Sequence, residues 1–296
     1  MKLLAAFLLI ISQTHADVIS SIQNRGYLRC GVTTGLPGFS YITDKGKWKG
    51  FDVDICRSIA ASLFDDPSKV KFIPLTNQMK FNALQNQKVD VLSRVTSLNY
   101  SSDQKTGLIF VGVTYFDTQR IMVYKQPKVK KLTDLDGLTV CLISGTSSER
   151  NLVKYARKNQ LNFETISFET GNFALKALKN GRCEALSTDQ SALYILKKSL
   201  KNPQDAFILS ESIGFEPLAL MIRDDDPIWF KHIRWVIFTL IKGEQDNIGF
   251  RLNNTFLKES NIPANYSRIL RYVGNYKDIF NRNLGDIYKI PRELNA

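Results

Sequence analysis

One short phrase occurs twice in this sequence. Residues 83–93 read ALQNQKVDVLS and residues 177–187 read ALKNGRCEALS, with Ala, Leu, Asn, a later Leu and the final Ser in common. In the first half of each copy, apolar residues recur three or four positions apart, as on one face of a helix. A polar turn then leads into a short apolar strand, and Gly181 suits the left-handed residue that follows a helix. The phrase therefore predicts a helix that runs into a strand, twice.

A matching strand precedes each copy of the phrase. Residues 27–32 (YLRCGV) and 138–143 (LTVCLI) have strand composition, and residues 151–157 have helical spacing. Residues 51–64 predict an amphipathic helix whose apolar stripe is formed by Ile55, Ile59 and Leu63. Strands that alternate with helices predict parallel sheets covered on both faces. Two such units predict an α/β protein of two lobes.

All four predicted strands end in small polar residues. These are Thr33 and Thr34, residues 93–97 (SRVTS), residues 144–148 (SGTSS) and residues 187–191 (STDQS). In parallel α/β sheets, ligands bind beyond the carboxyl ends of the strands. If the lobes face each other, the four turns converge on one cleft, and the phrase recurs because both halves of a clamp are built alike.

The net charge of +12 raises the question of a nucleic-acid partner. The densest basic run, KQPKVKK at residues 125–131, is short, and the other lysines are scattered among asparagines. We interpret the charge as a solvated basic surface and expect no nucleic-acid partner.

The first 16 residues, MKLLAAFLLIISQTHA, have a lysine, an apolar run and small residues before a cleavage point, as in a secretory signal peptide. The mature chain then starts near Asp17, and no later stretch approaches the length of a membrane span. The first cysteine is Cys30, so a lipid anchor at a new N-terminal cysteine is not expected. We therefore expect a soluble protein exported to a periplasm.

Histidine and cysteine usage limits the chemistry. His232 is the one histidine after the signal, and there is no CxxC or Cys/His cluster, so we expect neither a zinc site nor a histidine-based triad. No cofactor is expected. In an exported chain the four cysteines could form two disulfides in any of three pairings.

Five motifs carry a resemblance to a known family. They are LRCGVTTGLPGFS, WKGFDVDICRSIA, KVDVLSRVTS, GRCEALSTDQSALY and YVGNYKDIFNRNLG. With these motifs the sequence resembles the family 3 extracytoplasmic solute-binding proteins of ABC importers, in the general L-amino-acid-binding branch. The resemblance covers nearly the whole mature chain.

The resemblance implies a venus-flytrap (type II periplasmic-binding-protein) fold in the α/β class, with a mainly parallel sheet flanked by helices in each lobe. The expected divisions are a signal peptide at 1–16, lobe 1 at 17–120, lobe 2 at 121–220, and a return to lobe 1 with a helical tail at 221–296. Hinge crossings are expected near residues 119–125 and 215–222. The chain ends at PRELNA, earlier than the resemblance leads us to expect.

The implied function is that of a periplasmic binding protein that is not an enzyme. It captures polar L-amino acids of several kinds between closing lobes and delivers them to an inner-membrane permease, which it meets transiently as a monomer. Two alternatives stay open on this fold: a dehydratase of small carboxylic acids and a signalling ligand-sensor. A dehydratase needs a general acid or base in the cleft, and the four turns offer only Asp189.

In lobe 2 the resemblance places ligand contacts at two strand ends. Gly145, Thr146 and Ser147 are expected to bind the ligand's carboxylate with backbone N–H groups and hydroxyls. The alternative is a simple helix cap by Ser147 or Ser148. Asp189 is expected to bind the α-ammonium, and its alternative is likewise a cap for the following helix.

In lobe 1 the expected contacts are more varied. Thr33, Thr96 and Ser97 are expected to add hydrogen bonds, Leu36 and Phe39 to wall the cleft, and Gln119 to lie near the hinge. Phe39 is equally compatible with a place in the core.

One departure from the family concerns the carboxylate. Where the family has an arginine, this chain has Ser102, and we expect Arg94 to supply the missing guanidinium. Alternation along an extended segment would place Arg94 and Thr96 on one face. The alternative for Arg94 is an ion pair with a surface carboxylate.

The two-lobe arrangement also suggests a cysteine pairing. Cys30 is expected to pair with Cys56, and Cys141 with Cys183, because each pair lies within one lobe and a bond between lobes would block the clamp. Four free buried cysteines are the alternative.

Overall fold

The computed structural model describes residues 17–33, 35–104, 107–126, 128–249, 261–292 and 295–296. The proposed signal peptide at 1–16 and Thr34 lie outside the described residues. The strands are β1 (Leu28–Val32), β2 (Tyr41–Ile42), β3 (Trp48–Lys49), β4 (Val70–Pro74), β5 (Val91–Leu92), β6 (Leu108–Tyr124), β7 (Thr139–Ile143), β8 (Glu164–Phe168), β9 (Ala185–Asp189), β10 (Ala206–Ile208) and β11 (Gly214–Arg223).

Helices alternate with most of these strands. They are α1 (Val18–Arg25), α2 (Phe51–Phe64), α3 (Lys80–Gln85), α4 (Tyr100–Asp103), α5 (Ser147–Asn159), α6 (Gly171–Lys179), α7 (Gln190–Lys198), α8 (Pro227–Gln245), α9 (Ala264–Tyr272), α10 (Tyr276–Phe280) and α11 (Asp286–Tyr288). Short 3₁₀ turns lie at Leu132–Leu135 and Pro203–Asp205, and a π-helical turn at Asn281–Gly285 joins α10 to α11. None of the helices in the described part of the chain has both the length and the apolar composition needed to cross a membrane.

The repeated phrase forms the predicted structure in both copies. The first copy is α3 followed by β5, and the second is α6 followed by β9. After each helix a residue adopts the left-handed conformation, Gln87 with φ 55° and Gly181 with φ 70°. Glycine adopts this conformation without strain, so the prediction for Gly181 is confirmed.

The two phrases occupy equivalent places in two equivalent sheets. Parallel pairing gives the order β4-β1-β5 in the first lobe and β8-β7-β9 in the second. Apolar side chains pack against both faces of the second-lobe sheet, with Leu186 on one side and Val140 on the other. The structure thus has the predicted parallel sheets, and the strand that opens each lobe lies between the other two.

Two long strands connect the lobes. β6 pairs with β11 from Leu108 to Gln119 and then with β9 from Gln119 to Val123, so Gln119 is the residue where β6 changes partner. β11 also pairs with β5, which makes one nine-stranded sheet of the strands described, apart from the β2-β3 hairpin. The lobe boundaries predicted at 120/121 and 220/221 stay a prediction.

Helix α2 is more deeply buried than its sequence predicts. The stripe of Ile55, Ile59 and Leu63 is buried, but so are Asp52 and Asp54 on other sides of the helix. The reason is that α8 and α9, which come much later in the chain, pack against α2. The periodicity of one helix cannot show which distant segments of the chain will pack against its other sides.

Each lobe contains one disulfide. Cys30 on β1 is bonded to Cys56 on α2, and Cys141 on β7 is bonded to Cys183 just before β9. These are the predicted pairs, and the described residues contain no free cysteine.

The end of the chain lies against the connecting strands. Asn295 accepts a hydrogen bond from the backbone N–H of Phe116 at 2.7 Å and donates one to its carbonyl at 2.9 Å. Arg292 forms an ion pair with Glu244 of α8 at 2.6 Å. The end of the chain is therefore attached to strand β6 and helix α8, and not to the strand ends that carry the predicted site.

Candidate functional site

The strand ends of the two lobes enclose two adjoining cavities. The smaller has a volume of about 190 Å³ and the larger about 320 Å³. All four predicted turns contribute, and the two cavities share the residues Asn77, Val95, Thr146, Thr188 and Asp189. The predicted convergence on one cleft is therefore present in the structure.

The lobes touch across this cleft. The hydroxyls of Ser97 in the first lobe and Ser147 in the second are 2.9 Å apart. The amide of Asn77 donates to the carbonyl of Ser144 at 3.4 Å. Because both contacts join one lobe to the other, the structure is in a closed arrangement.

Asp189 lies at the end of β9 and borders both cavities. It occupies the cap position of α7, yet its carboxylate accepts no hydrogen bond from that helix. The carboxylate of Asp117 accepts the backbone N–H and the hydroxyl of Ser191 in its place. Among the described residues, the Asp189 carboxylate accepts one hydrogen bond, from the Ser148 hydroxyl at 3.2 Å. The capping alternative for Asp189 is therefore wrong.

The electrostatic surroundings of Asp189 favour a positive ligand group. Burial, and then the nearby carboxylates of Asp117 and Glu216, raise the pKa of Asp189 well above its ordinary value. Burial also raises the pKa of Asp117 to about 6. An added cation would lower the free energy of the ionised form of Asp189, and an ammonium is such a cation.

The turn at residues 145–147 provides both a cap and cavity contacts. Gly145 has φ 73°, and the hydroxyl of Thr146 accepts the backbone N–H of Glu149. Thr146 is therefore the cap of α5, and the proposed cap by Ser147 or Ser148 is wrong. The Ser147 hydroxyl instead donates to Glu216 at 2.8 Å.

Arg94 is buried and borders the smaller cavity. One of its terminal nitrogens donates to Asn77 at 2.9 Å, and its Nε has no partner among the described residues. Burial lowers the pKa of Arg94 to about 10, while Asp52 acts in the opposite direction. The alternative of a surface ion pair is wrong, because the side chain is only 4% exposed.

The expected pairing of Arg94 and Thr96 on one face is also wrong. Val95 between them has φ 53°, so the segment turns and does not continue as an extended strand. Thr96 is buried and lines neither cavity, and its hydroxyl has no partner within the described residues.

The other predicted contacts divide into two groups. Thr33 and Leu36 line the smaller cavity, and Ser97 lines the larger. Phe39 and Gln119 line neither. Phe39 is fully buried with its ring edge-on to Phe51 at 6.1 Å, so it belongs to the core. Gln119 is fully buried, and its amide donates to the Ser148 carbonyl and the Ser187 hydroxyl, both at 2.8 Å.

The sequence did not predict several polar residues that line the cavities, among them Asn77 and Lys80, nor the two carboxylates of Asp117 and Glu216 that act on Asp189. Asn77 precedes α3, Lys80 begins it, Asp117 lies on β6 and Glu216 on β11. The last two lie on the connecting strands, where no turn or repeat marks them. The one available signal was the lysine at position 80, three residues before the repeated phrase.

The cleft shows no metal centre. The described residues contain no group of three or more His, Cys, Asp or Glu side chains that could hold a metal ion.

Comparisons with known proteins agree on one family. The sequence model for bacterial extracellular solute-binding proteins, family 3, matches residues 28–259. The general L-amino acid-binding periplasmic protein AapJ of Rhizobium johnstonii is 37% identical over 96% of this chain and 90% of its own length. The glutamate/glutamine/aspartate/asparagine-binding protein BztA of Rhodobacter capsulatus is 31% identical over 97% of this chain and 92% of its own length.

A solved structure shows the same architecture. The ABC transporter periplasmic binding protein from Brucella ovis with glutathione bound superposes with a TM-score of 0.87 at 37% identity. The match covers 95% of this chain and 96% of that one.

Proposed function

Because this chain belongs to the bacterial extracellular solute-binding proteins of family 3, we propose that it binds L-amino acids between its two lobes and delivers them to an ABC permease. The fold is the two-lobe type II binding-protein fold of that family. The relatives AapJ and BztA are named for binding amino acids, which supports this class of ligand, and the Brucella ovis protein has glutathione bound.

The observation that carries the proposal is the state of Asp189. Its carboxylate borders both cavities, serves no helix as a cap, and stands beside two further carboxylates. Three acids in a buried cleft repel one another, and a ligand ammonium relieves that repulsion. A zwitterionic amino acid supplies the ammonium.

The contact between the lobes also supports the proposal. Ser97 and Ser147 lie on opposite lobes, so a ligand held between them stabilises the closed state by its preference for that state. Thr33, Leu36 and Arg94 would contact the part of the ligand that lies in the smaller cavity. Gly145, Thr146 and Ser147 would face the part that lies in the larger one.

The location and partners of the protein follow from the same proposal. The family is extracellular, and residues 1–16 would serve as the signal peptide for export to the periplasm. The protein would act as a monomer and meet the permease transiently.

We also infer that the protein binds its ligand without turnover. The relatives named above are binding proteins. The cavities are nevertheless lined by Glu169 and Lys80 besides Asp189, more acid and base groups than the four turns alone provide. Incubation with L-amino acids and with prephenate-like acids should therefore leave each compound unchanged, and product formation would favour the dehydratase alternative.

Thermal shift with a panel of L-amino acids tests the proposal. A ligand at 100 times its Kd should add about 2.7 kcal/mol to the free energy of unfolding. A panel in which no L-amino acid raises the melting temperature would refute the proposed ligand class.

Paired variants then test the residue that carries it. Asp189→Ala should weaken amino-acid binding by about 2 to 5 kcal/mol, because a charge-assisted contact in a closed cleft is lost. Asp226→Ala is the control, since Asp226 caps α8 and lines neither cavity. This change should lower the free energy of unfolding by about 1 to 2 kcal/mol through the lost cap and leave binding near that of wild type. Near-normal affinity of Asp189→Ala in calorimetry would remove Asp189 from the site.

A further inference from the structure

Lys80 is the one lysine buried among the described residues, and it lines the larger cavity. Its side chain makes no ion pair or hydrogen bond with the described residues, and its Nζ lies 5.0 Å from the centre of the Phe81 ring. Lysine is almost never buried unless it is paired. An unpaired buried ammonium destabilises a fold, so its presence requires another explanation.

The charges around Lys80 do not stabilise its ammonium. Burial, followed by the positive charges of Arg94 and Arg150, lowers its pKa well below the ordinary lysine value. Asp189 and Glu216 act in the opposite direction but more weakly. Lys80 therefore makes no ion pair with the described residues, although Asp189 borders the same cavity.

The repeat shows that the fold itself does not need a lysine here. In the register of the two phrases, Ala177 matches Ala83, so Ala174 takes the place of Lys80. Ala174 is fully buried in the core of the second lobe. Lys80 also begins helix α3, where a positive charge opposes the helix dipole.

The part of the larger cavity wall that belongs to the second lobe also favours an anionic ligand group. Helix α5 begins at Ser147 and runs for 13 residues, and Thr146, Ser147 and Ser148 all border the larger cavity. The first backbone N–H groups of a helix and its dipole favour a negative group at this end.

We propose that Lys80 binds the α-carboxylate of the ligand, with the N-terminus of α5 on the other side of that carboxylate. This inference rests on the proposed function, because it takes the ligand to be an amino acid whose ammonium meets Asp189. Asp189 borders the same cavity, so one zwitterion reaches both groups. Arg94 borders the smaller cavity and is left to contact the ligand's side chain.

Calorimetry with L-glutamine and L-glutaminamide tests this assignment, because the amide replaces the α-carboxylate by a neutral group of similar size. Wild-type protein should prefer the acid by about 30-fold or more, as expected for a close charge pair in a desolvated cleft. Lys80→Met should bring the two ligands within about threefold of each other. Lys80→Arg should keep part of the preference, and Lys88→Met, at an exposed position, should behave as wild type.

A second readout separates binding from a structural role. Without ligand, Lys80→Met should melt at or above the wild-type temperature, because a buried unpaired charge has been removed. A variant that melts lower or fails to fold would show that Lys80 is structural and would overturn the proposal. So would a folded Lys80→Met protein that keeps the full preference for the acid.

The two proposals fail in distinguishable ways. If wild-type protein binds none of the L-amino acids in the panel, the proposed function fails and this assignment with it. If wild type binds L-glutamine and prefers it to the amide, and Lys80→Met does the same, only the assignment of Lys80 fails.

Discussion

The two lobes have the same scaffold and opposite chemistry. In each, a strand opens the lobe between two parallel neighbours, and the repeated helix and strand follow at the same place. At the end of the repeated strand the first lobe turns at Val95, next to the buried Arg94. The second lobe continues to Asp189, which lies two residues beyond its copy of the phrase and so matches Val95.

The surroundings of the two charges also differ. In the first lobe Arg94 is near Asp52, whose carboxylate accepts the Ser93 hydroxyl at 3.2 Å. In the second lobe Asp189 is near the further carboxylates of Asp117 and Glu216. The first lobe therefore has a group of opposite charge near Arg94, whereas the second has groups of like charge near Asp189. A duplicated scaffold can thus place unlike charges on opposite sides of a cleft, and in our proposal Lys80 and Asp189 meet the two charges of a zwitterion while Arg94 meets its side chain.

Titration of Asp52 would sharpen the contrast most, because it changes the charge near Arg94 in the first lobe. Burial raises the pKa of Asp52 to about 7, against an ordinary value of 3.8. The carboxyl is protonated in both folded and unfolded states below pH 4. Between about pH 4 and 7 the unfolded chain ionises first, so the folded state loses up to about 4 kcal/mol as the pH rises.

Chemical denaturation across this pH range measures the effect. The difference between the free energies of unfolding of Asp52→Asn and wild type should increase in favour of the variant as the pH rises, and it should level off above pH 7. Asp44→Asn, an exposed change in the same lobe, should stay parallel to wild type. Parallel curves for Asp52→Asn and wild type would mean that Asp52 is ionised in the folded protein.

The disulfides provide a test of the scaffold that the lobes share. The paired cysteines are 26 residues apart in the first lobe and 42 in the second. Loop-closure entropy predicts similar losses, about 3.5 and about 4 kcal/mol, when each pair is replaced by alanine. Urea denaturation of Cys30→Ala/Cys56→Ala and of Cys141→Ala/Cys183→Ala checks this. A loss confined to one lobe would contradict the view that the two lobes are stabilised alike.

The fold was largely predictable from the sequence, because its signals are local. The repeated phrase, the alternating strands and helices and the polar strand ends all depend on neighbours in the chain. The burial of α2 on several sides was not predictable, since its cover comes from α8 and α9. Thr96 was misplaced because nothing in the sequence marks the positive φ of Val95.

The site was predicted where it lies on turns and missed where it lies on long elements. The turns brought Asp189, Arg94 and the 145–147 segment to the cleft as expected. Asp117 and Glu216 line neither cavity but act on Asp189 from the paired strands β6 and β11. The prediction that Phe39 and Gln119 contact the ligand was wrong, because core packing of Phe39 and hydrogen bonding of Gln119 keep both side chains out of the cavities.

The central claim is that the Asp189 carboxylate binds the ammonium of the ligand, because the described residues provide no cation that pairs with it. Calorimetry with L-glutamine and with glutaramate, its analogue without the α-ammonium, measures this directly. Wild-type protein should prefer L-glutamine by about 30-fold or more, and Asp189→Asn should lose most of that preference while remaining folded. An Asp189→Asn protein that still prefers L-glutamine by the wild-type factor would contradict the account.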